Sequence, residues 1–215
     1  MARITVLGGT GYAGAHLVRV AAERGHQVTS ISRSRPAEPI EGVDYRTGSV
    51  LEEQFLASAV DGADVVVSAL SPRGELTGRV RGVLQQLAPL AARSGTRLGV
   101  VGGAGSLNLA PDGPKLMDTD AFPADYRPES QEMGAVLDDL RAGQHPGLDW
   151  FLVSPAANFG AWAPGQATGT YRLGRDLLLT DADGNSEISG ADLADAVVRE
   201  IESPQHRNQR FTLAY

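Results

Sequence analysis

The sequence predicts an α/β protein of Rossmann type: a doubly wound parallel sheet with a small C-terminal substrate lobe. Three observations carry that prediction. Short, valine-rich apolar runs alternate with helically spaced apolar stripes as far as residue 155. The first run leads directly into the glycine cluster of "VLGGTGYAG" (6–14). A second apolar run, "HQVTSIS" (26–32), then completes one strand–helix–strand unit behind that cluster.

The elements follow in order. Ile4, Val6 and Leu7 form a short run bounded by glycine, as a buried parallel strand requires. Leu17, Val18, Ala21 and Ala22 recur at helical spacing, and Gly25 is placed to close that helix. Strands are expected at 26–32 and 43–50, then a helix near 51–60 and a strong strand at 63–70. Val80, Val83, Leu84, Leu87, Leu90 and Ala91 make a helical stripe. Pro89 lies inside it, and an internal proline costs about 3 kcal/mol, so a kink or break is expected there. "TRLGVVGG" (96–103) reads as the fifth strand, and 103–127 as loop. Met133, Val136, Leu137 and Leu140 mark the next helix, and "LDWFLVSP" (148–155) the sixth strand. Alternation then weakens. "GTYRLGRDLLLTDADGNS" predicts an antiparallel hairpin turning at Asp183-Gly184. Residues 189–204 predict a helix capped by Ser189 and Asp192 in an S-x-x-D pattern, and "RFTLAY" a final strand.

With 215 residues, the chain fits one domain, its substrate-side lobe contributed by about 156–188. Hydrophobic residues make up 42% and charged residues 21%, which excludes a disordered chain. The formal charge of -7 argues against nucleic acid or an anionic membrane as partner. The absence of cysteine excludes disulfides, thiolate zinc sites and thiol catalysis. The sequence shows no signal peptide and no run of about 20 apolar residues, so a cytoplasmic protein with a small-molecule substrate is expected. The remaining carboxylates and histidines are too dispersed for a metal cluster. Monomer and homodimer both stay open.

Two fingerprints overlap in the glycine cluster: Gly9-x-Gly11-x-x-Gly14 and Gly8-x-x-Gly11-x-x-Gly14. Either places one glycine at a tight turn and one where a pyrophosphate can lie on bare backbone at a helix N-terminus. The last lets helix and strand approach closely. Thr10, Tyr12 and Ala13 belong to the same junction. Where NAD-selective folds end the second strand on a carboxylate, this chain reads "ISRSRP" (31–36). A carboxylate repels a 2′-phosphate and a guanidinium grips it, so NADP(H) is expected over NAD(H). Arg33 would be the main contact, assisted by Thr10 and Ser32, with Arg35 an open alternative to a solvated charge.

The chain resembles the atypical short-chain dehydrogenase/reductase superfamily, within it the NAD(P)H-binding, NmrA-like and biliverdin/flavin-reductase-like group. "VLGGTGYAG" (6–14), "SRSRP" (32–36), "VVVSALSP" (65–72), "VVGGAGSL" (100–107), "LDWFLVSPAANF" (148–159) and "ISGADLADAVVREIE" (188–202) carry the resemblance. It implies a cofactor cleft at the strand ends. Ser49, Val50, Ala69, Leu70 and Ser71 would lie on the adenosine side, Gly102, Gly103 and Ala104 near the nicotinamide ribose, and Pro155, Ala156 and Ala157 beside the nicotinamide. The departure is equally specific. The superfamily's acid/base pair is Tyr-x-x-x-Lys, yet the single lysine here, Lys115, is preceded four positions earlier by Pro111. No lysine is spaced to lower a tyrosine pKa, so ketone, epimerase and dehydratase chemistry lose support.

What the resemblance leaves is hydride transfer between NADP(H) and a conjugated or aromatic acceptor, quinone- or flavin-like, with protons taken from water. Ser106 stands where the family's strand-five serine sits, as a hydrogen-bond donor to substrate, against a loop-turn serine as the alternative. Tyr126, in the long loop, is a candidate cleft cover or proton donor, against a plain surface tyrosine as the alternative. Asn158, Phe159 and Trp162 are expected to line the substrate pocket, with core filler the rival reading for Trp162, and His145 to be a helix-end residue. The rival reading is a non-enzymatic NADP(H)-responsive sensor of NmrA-like type.

Overall fold

The computed structural model describes all 215 residues. An eight-stranded sheet forms from β1 (Arg3–Leu7), β2 (Gln27–Ser32), β3 (Asp44–Thr47), β4 (Val65–Ser68), β5 (Arg97–Val101), β6 (Trp150–Ser154), β7 (Arg172–Gly174) and β8 (Gln209–Ala214). Their spatial order is β3-β2-β1-β4-β5-β6-β8-β7. Every pairing is parallel except that of β7 with β8. The helices are α1 (Tyr12–Glu23), α2 (Glu53–Ala57), α3 (Val80–Ser94), α4 (Arg127–Arg141) and α5 (Gly190–Glu202).

The apolar runs are continuous rather than alternating because both sheet faces are covered. One face packs Ile4, Val6, Val28, Val67 and Val153 against α1 and α5. The other packs Leu7, Ile31, Val66, Val100 and Leu152 against α2, α3 and α4. No helix is long and apolar enough to cross a membrane.

The structure alters several expectations. Strands are shorter than their apolar runs because pairing stops where the chain turns into the crevice loops. The loop 103–127 contains three single 3-10 turns, Ala104–Ser106, Leu116–Asp118 and Ala124–Tyr126. Pro89 does not interrupt α3, which runs unbroken from Val80 to Ser94. Proline there forfeits one backbone bond, while Val80, Val83, Leu84, Leu87, Ala88 and Ala91 on the same helix are all buried. No hairpin forms around Asp183-Gly184. A turn closes there through the Asp181 side chain, which accepts from Asp183 and Asn185 N–H, but β7 pairs with the distant β8 instead.

The cap of α5 is half as expected. Ser189 Oγ accepts from Asp192 N–H at 3.1 Å. Asp192, however, is buried and does not return to the cap. Its carboxylate accepts from Thr168 N–H (2.8 Å), Gly169 N–H (3.1 Å) and the Tyr215 hydroxyl (2.6 Å). It thereby pins the segment between β6 and β7 onto α5.

A second buried network ties the amino end of the central strand β5 to α5. Arg97 on β5 donates to Glu200 of α5 at 2.6 Å, both side chains more than nine-tenths buried. Burial pushes the Glu200 carboxyl up. Arg97 and the N–H groups of His206 and Gln205 outweigh that and hold it below the ordinary carboxylate range. This group therefore adds stability above its unfolded value near 4.5 that is lost as pH falls through its lower folded value. Arg97→Met strands a buried carboxylate and is expected to cost about 3–5 kcal/mol in urea denaturation at pH 7. The deficit should shrink as pH falls through the folded Glu200 value, which lies below 4.5, because a protonated carboxyl no longer requires the cation.

Candidate functional site

In the order β3-β2-β1-β4-β5-β6 the chain leaves β1 toward the α1 face and leaves β4 toward the α3 face. The diverging connections open a crevice at the carboxyl ends of β1 and β4, where open α/β sheets bind ligands.

The glycine loop forms one wall of that crevice, and the structure separates the two overlapping fingerprints. Gly8 turns the chain at φ +79°, a backbone region that side-chain-bearing residues avoid, and its N–H bonds the carbonyl of Ile31 at 2.8 Å. Gly14 lies over that turn: a Cβ there would stand 2.1 Å from the Gly8 carbonyl oxygen. Gly11 is the N-cap of α1, and a Cβ on it would meet only the Gly8 oxygen, at 3.3 Å. Gly9 faces away, against Ser30 of β2. The working pattern is therefore Gly8-x-x-Gly11-x-x-Gly14, with Gly9 a packing residue. No side chain caps α1 and its first turn carries no acid. The backbone N–H groups of Tyr12, Ala13 and Gly14 are those a helix leaves without an internal acceptor, and the helix dipole adds roughly half a positive charge there. Bare backbone, free donors and positive potential coincide, as a pyrophosphate requires.

Beside this wall, Ser32 has a different task from the one expected. It is buried, and its Oγ accepts from Thr10 N–H at 3.1 Å, tying the glycine loop to the end of β2. Thr10 and Arg33 are exposed. Arg33 pairs across the crevice with Glu75 at 3.3 Å, both side chains more than half exposed. Ser49 accepts from Leu51 N–H, and Val50 is buried in the core under α3. Ala69 and Leu70 back the glycine turn, the Ala69 oxygen lying 2.9 Å from where a Gly8 Cβ would be. Ser71 is exposed and donates to Glu129 at 3.2 Å.

On the β5 and β6 side, Gly102 packs against Leu152, while Gly103 faces open space. Pro155 and Ala156 are buried at the end of β6. Ala157 and Asn158 are held by Ser186 through Ala157 N–H to Oγ (3.1 Å) and Asn158 N–H to the carbonyl (2.8 Å). Asn158 Nδ2 also donates to Glu187 at 2.9 Å. Phe159 meets Tyr12 edge-on at 5.3 Å. The Tyr12 hydroxyl donates to the Pro164 carbonyl and accepts from Gly190 N–H, each at 3.2 Å. Tyr12 therefore brackets α1 to the 156–188 segment. Trp162 is 58% exposed and lies parallel to Tyr126, which is 43% exposed, with ring centres 6.1 Å apart. The Arg73 guanidinium sits over both rings and donates to Glu129 at 2.7 Å.

Ser106 is a correction. It does not face the crevice; it is buried toward α4, and its Oγ accepts from buried Arg210 at 2.9 Å. Arg210 is paired with Asp176 on its other side, and an arginine out of water needs acceptors on every face. Lys115 lines the same small polar cavity, with Asn108, Asp138, Arg141 and Asp176 and no tyrosine. The tyrosines whose acidity the fold changes, Tyr171 and Tyr215, are both pushed up, by burial first and then by hydrogen bonds to Asp195 and Asp192. That is the opposite of what an activated tyrosine needs. His145 lies at the far edge, in a cavity of about 360 Å³ between α3 and α4, away from the crevice.

Sequence reasoning missed Arg73, Glu75 and Glu129. Their partners are 42 to 89 positions away, so no local pattern marks them.

A family model described as NAD(P)H-binding matches residues 8–204. YwnB of Bacillus subtilis is 37% identical over 213 residues, spanning 98% of this chain and 97% of YwnB. A crystal structure of a candidate exported protein from Burkholderia pseudomallei is 38% identical, with TM-score 0.87 and both chains fully covered. That of a candidate NADH-flavin reductase from Streptococcus pneumoniae is 32% identical, with TM-score 0.86, covering 100% of this chain and 99% of the other.

The glycine geometry predicts different failures for two substitutions. Gly14→Ala drives a methyl into the Gly8 carbonyl and should lower the Tm by several degrees or prevent folding, as read by thermal melts. Gly11→Ala meets that oxygen only at 3.3 Å, so its Tm should fall far less than that of Gly14→Ala while NADPH affinity, measured by calorimetry, falls by about tenfold or more.

Proposed function

The chain belongs to the NAD(P)H-binding family, and from that premise we propose that it is an NADP(H)-dependent reductase acting on a small conjugated acceptor of quinone or flavin type. The observation that carries the reading is the uncapped N-terminus of α1 held open above Gly11. Tyr12, Ala13 and Gly14 N–H would take the pyrophosphate there. The exposed Arg33 would take the 2′-phosphate, leaving Glu75. An exposed ion pair is worth about 0–1 kcal/mol, so that exchange costs little. Gly102, Gly103, Pro155 and Ala156 would border the nicotinamide end, and Asn158, Phe159 and Trp162 the acceptor.

When bound, a reduced nicotinamide would supply the hydride that the acceptor takes up, with the accompanying proton coming from water. The residues of this chain then have only to bind, orient and exclude water. Tyr171 and Tyr215 are pushed away from activation and Ser106 faces away, which favours an acceptor that takes up a hydride without a protein acid. The candidate NADH-flavin reductase among the similar structures supports the acceptor class. A cytoplasmic location belongs to the same reading. If the chain were instead an NADP(H) sensor, nucleotide would bind without turnover of any acceptor.

Two measurements test the proposal. Arg33→Ala should weaken NADPH binding by about tenfold while changing NADH binding by less than about twofold, because only the former carries the 2′-phosphate; equal losses reject the role. Steady-state NADPH oxidation should proceed with quinones or flavins and not with simple ketones; the reverse preference overturns the acceptor class.

A further inference from the structure

We propose that Arg73, Tyr126 and Trp162 form the face that binds the acceptor, and that the acceptor is a planar conjugated ring system bearing an anionic substituent. The proposal rests on the reductase reading above and specifies its substrate. Three connections that diverge from the sheet meet at this point: Arg73 follows β4, Tyr126 lies between β5 and α4, and Trp162 follows β6. Their convergence places two parallel aromatic rings at the carboxyl edge of the central strands. A contact serving only to close the lobe would bury those rings, yet both remain about half exposed. Parallel, exposed π faces are what a planar ligand stacks on.

The orientation is built in. The indole of Trp162 lies against the bare Cα of Gly160, where a Cβ would stand 2.4 Å from the ring. The turn is closed by Ala163 N–H on the Gly160 carbonyl at 3.0 Å. Gly160 is thus a positioning residue for Trp162. The cation is set in the same way: Arg73 rests over both rings, 5.6 Å from the Tyr126 centre and 5.3 Å from that of Trp162, with Glu129 steadying its Nε. Glu129 is itself held by Ser71. A guanidinium at the border of an aromatic face recognises a flat ring with a carboxylate or phosphate at its margin.

Flavin mononucleotide and riboflavin separate these contributions, since they share one ring system and only the former carries phosphate. Trp162→Ala and Gly160→Ala should each raise KM for both flavins by about tenfold, with the NADPH dissociation constant unchanged within about twofold; Trp162→Phe should recover most of the loss. Arg73→Ala should raise KM for flavin mononucleotide more than for riboflavin. Binding is also read without turnover: flavin mononucleotide should quench tryptophan emission in the parent protein and far less in Trp162→Phe, where only buried Trp150 remains. Unchanged flavin KM in Trp162→Ala, or NADPH binding with no flavin-dependent quenching, overturns the proposal. Failure to bind NADPH would instead overturn the reductase reading on which it rests.

Discussion

The contact that everything at the crevice depends on is the one between the Cα of Gly14 and the carbonyl of Gly8. With no side chain in the way, the first turn of α1 sits directly on the turn that leaves β1. That height fixes where the free N–H groups of α1 point. It also fixes the packing of α1 against β1 and α5, and through Tyr12 the position of the segment between β6 and α5. A single methyl at Gly14 would lift the helix and disturb all three, because packed interiors have no slack to absorb it.

Around this fixed point the structure is unequally firm. The amino end of the central strand β5 is locked by Arg97 and Glu200, and the 156–188 segment by Asp192 and Tyr215, all through buried or half-buried polar groups. The rim of the crevice is held by exposed interactions: Arg33 with Glu75, Arg73 with Glu129, and the facing rings of Tyr126 and Trp162. Exposed pairs contribute about 0–1 kcal/mol each, so the rim can rearrange around a ligand at small cost while the scaffold stays put. The residues from Ser71 to Glu75 bridge both halves of the crevice, bonded to Glu129 at one end and Arg33 at the other.

The missing tyrosine–lysine pair fits this distribution. A protein acid must be desolvated and tuned by neighbours, and the tyrosines whose acidity shifts move the wrong way. What the crevice supplies is an uncapped helix N-terminus over bare backbone, a cation beyond it and an aromatic rim. That division leaves the chemistry to the bound nucleotide and positioning to the protein.

The sequence by itself determined the doubly wound sheet, the glycine turn between β1 and α1 and the arginine one strand away. Each rests on a short-range pattern: apolar runs and stripes, glycine spacing, and the residue type ending β2. Strand cores were legible for that reason, and their ends were not, since pairing stops according to neighbours in space. Only the tertiary structure decided which of the overlapping glycine patterns operates, because Gly9 and Gly11 differ in what faces them rather than in type. It alone turned Ser106 toward Arg210, kept α3 whole through Pro89 by burying its stripe, and sent β7 to β8 in place of a local hairpin. It alone assembled Arg73, Tyr126 and Trp162, which lie in three connections brought together by the parallel order of β4, β5 and β6. Such a group leaves no trace in spacing, since its members are neighbours only after the strands have paired.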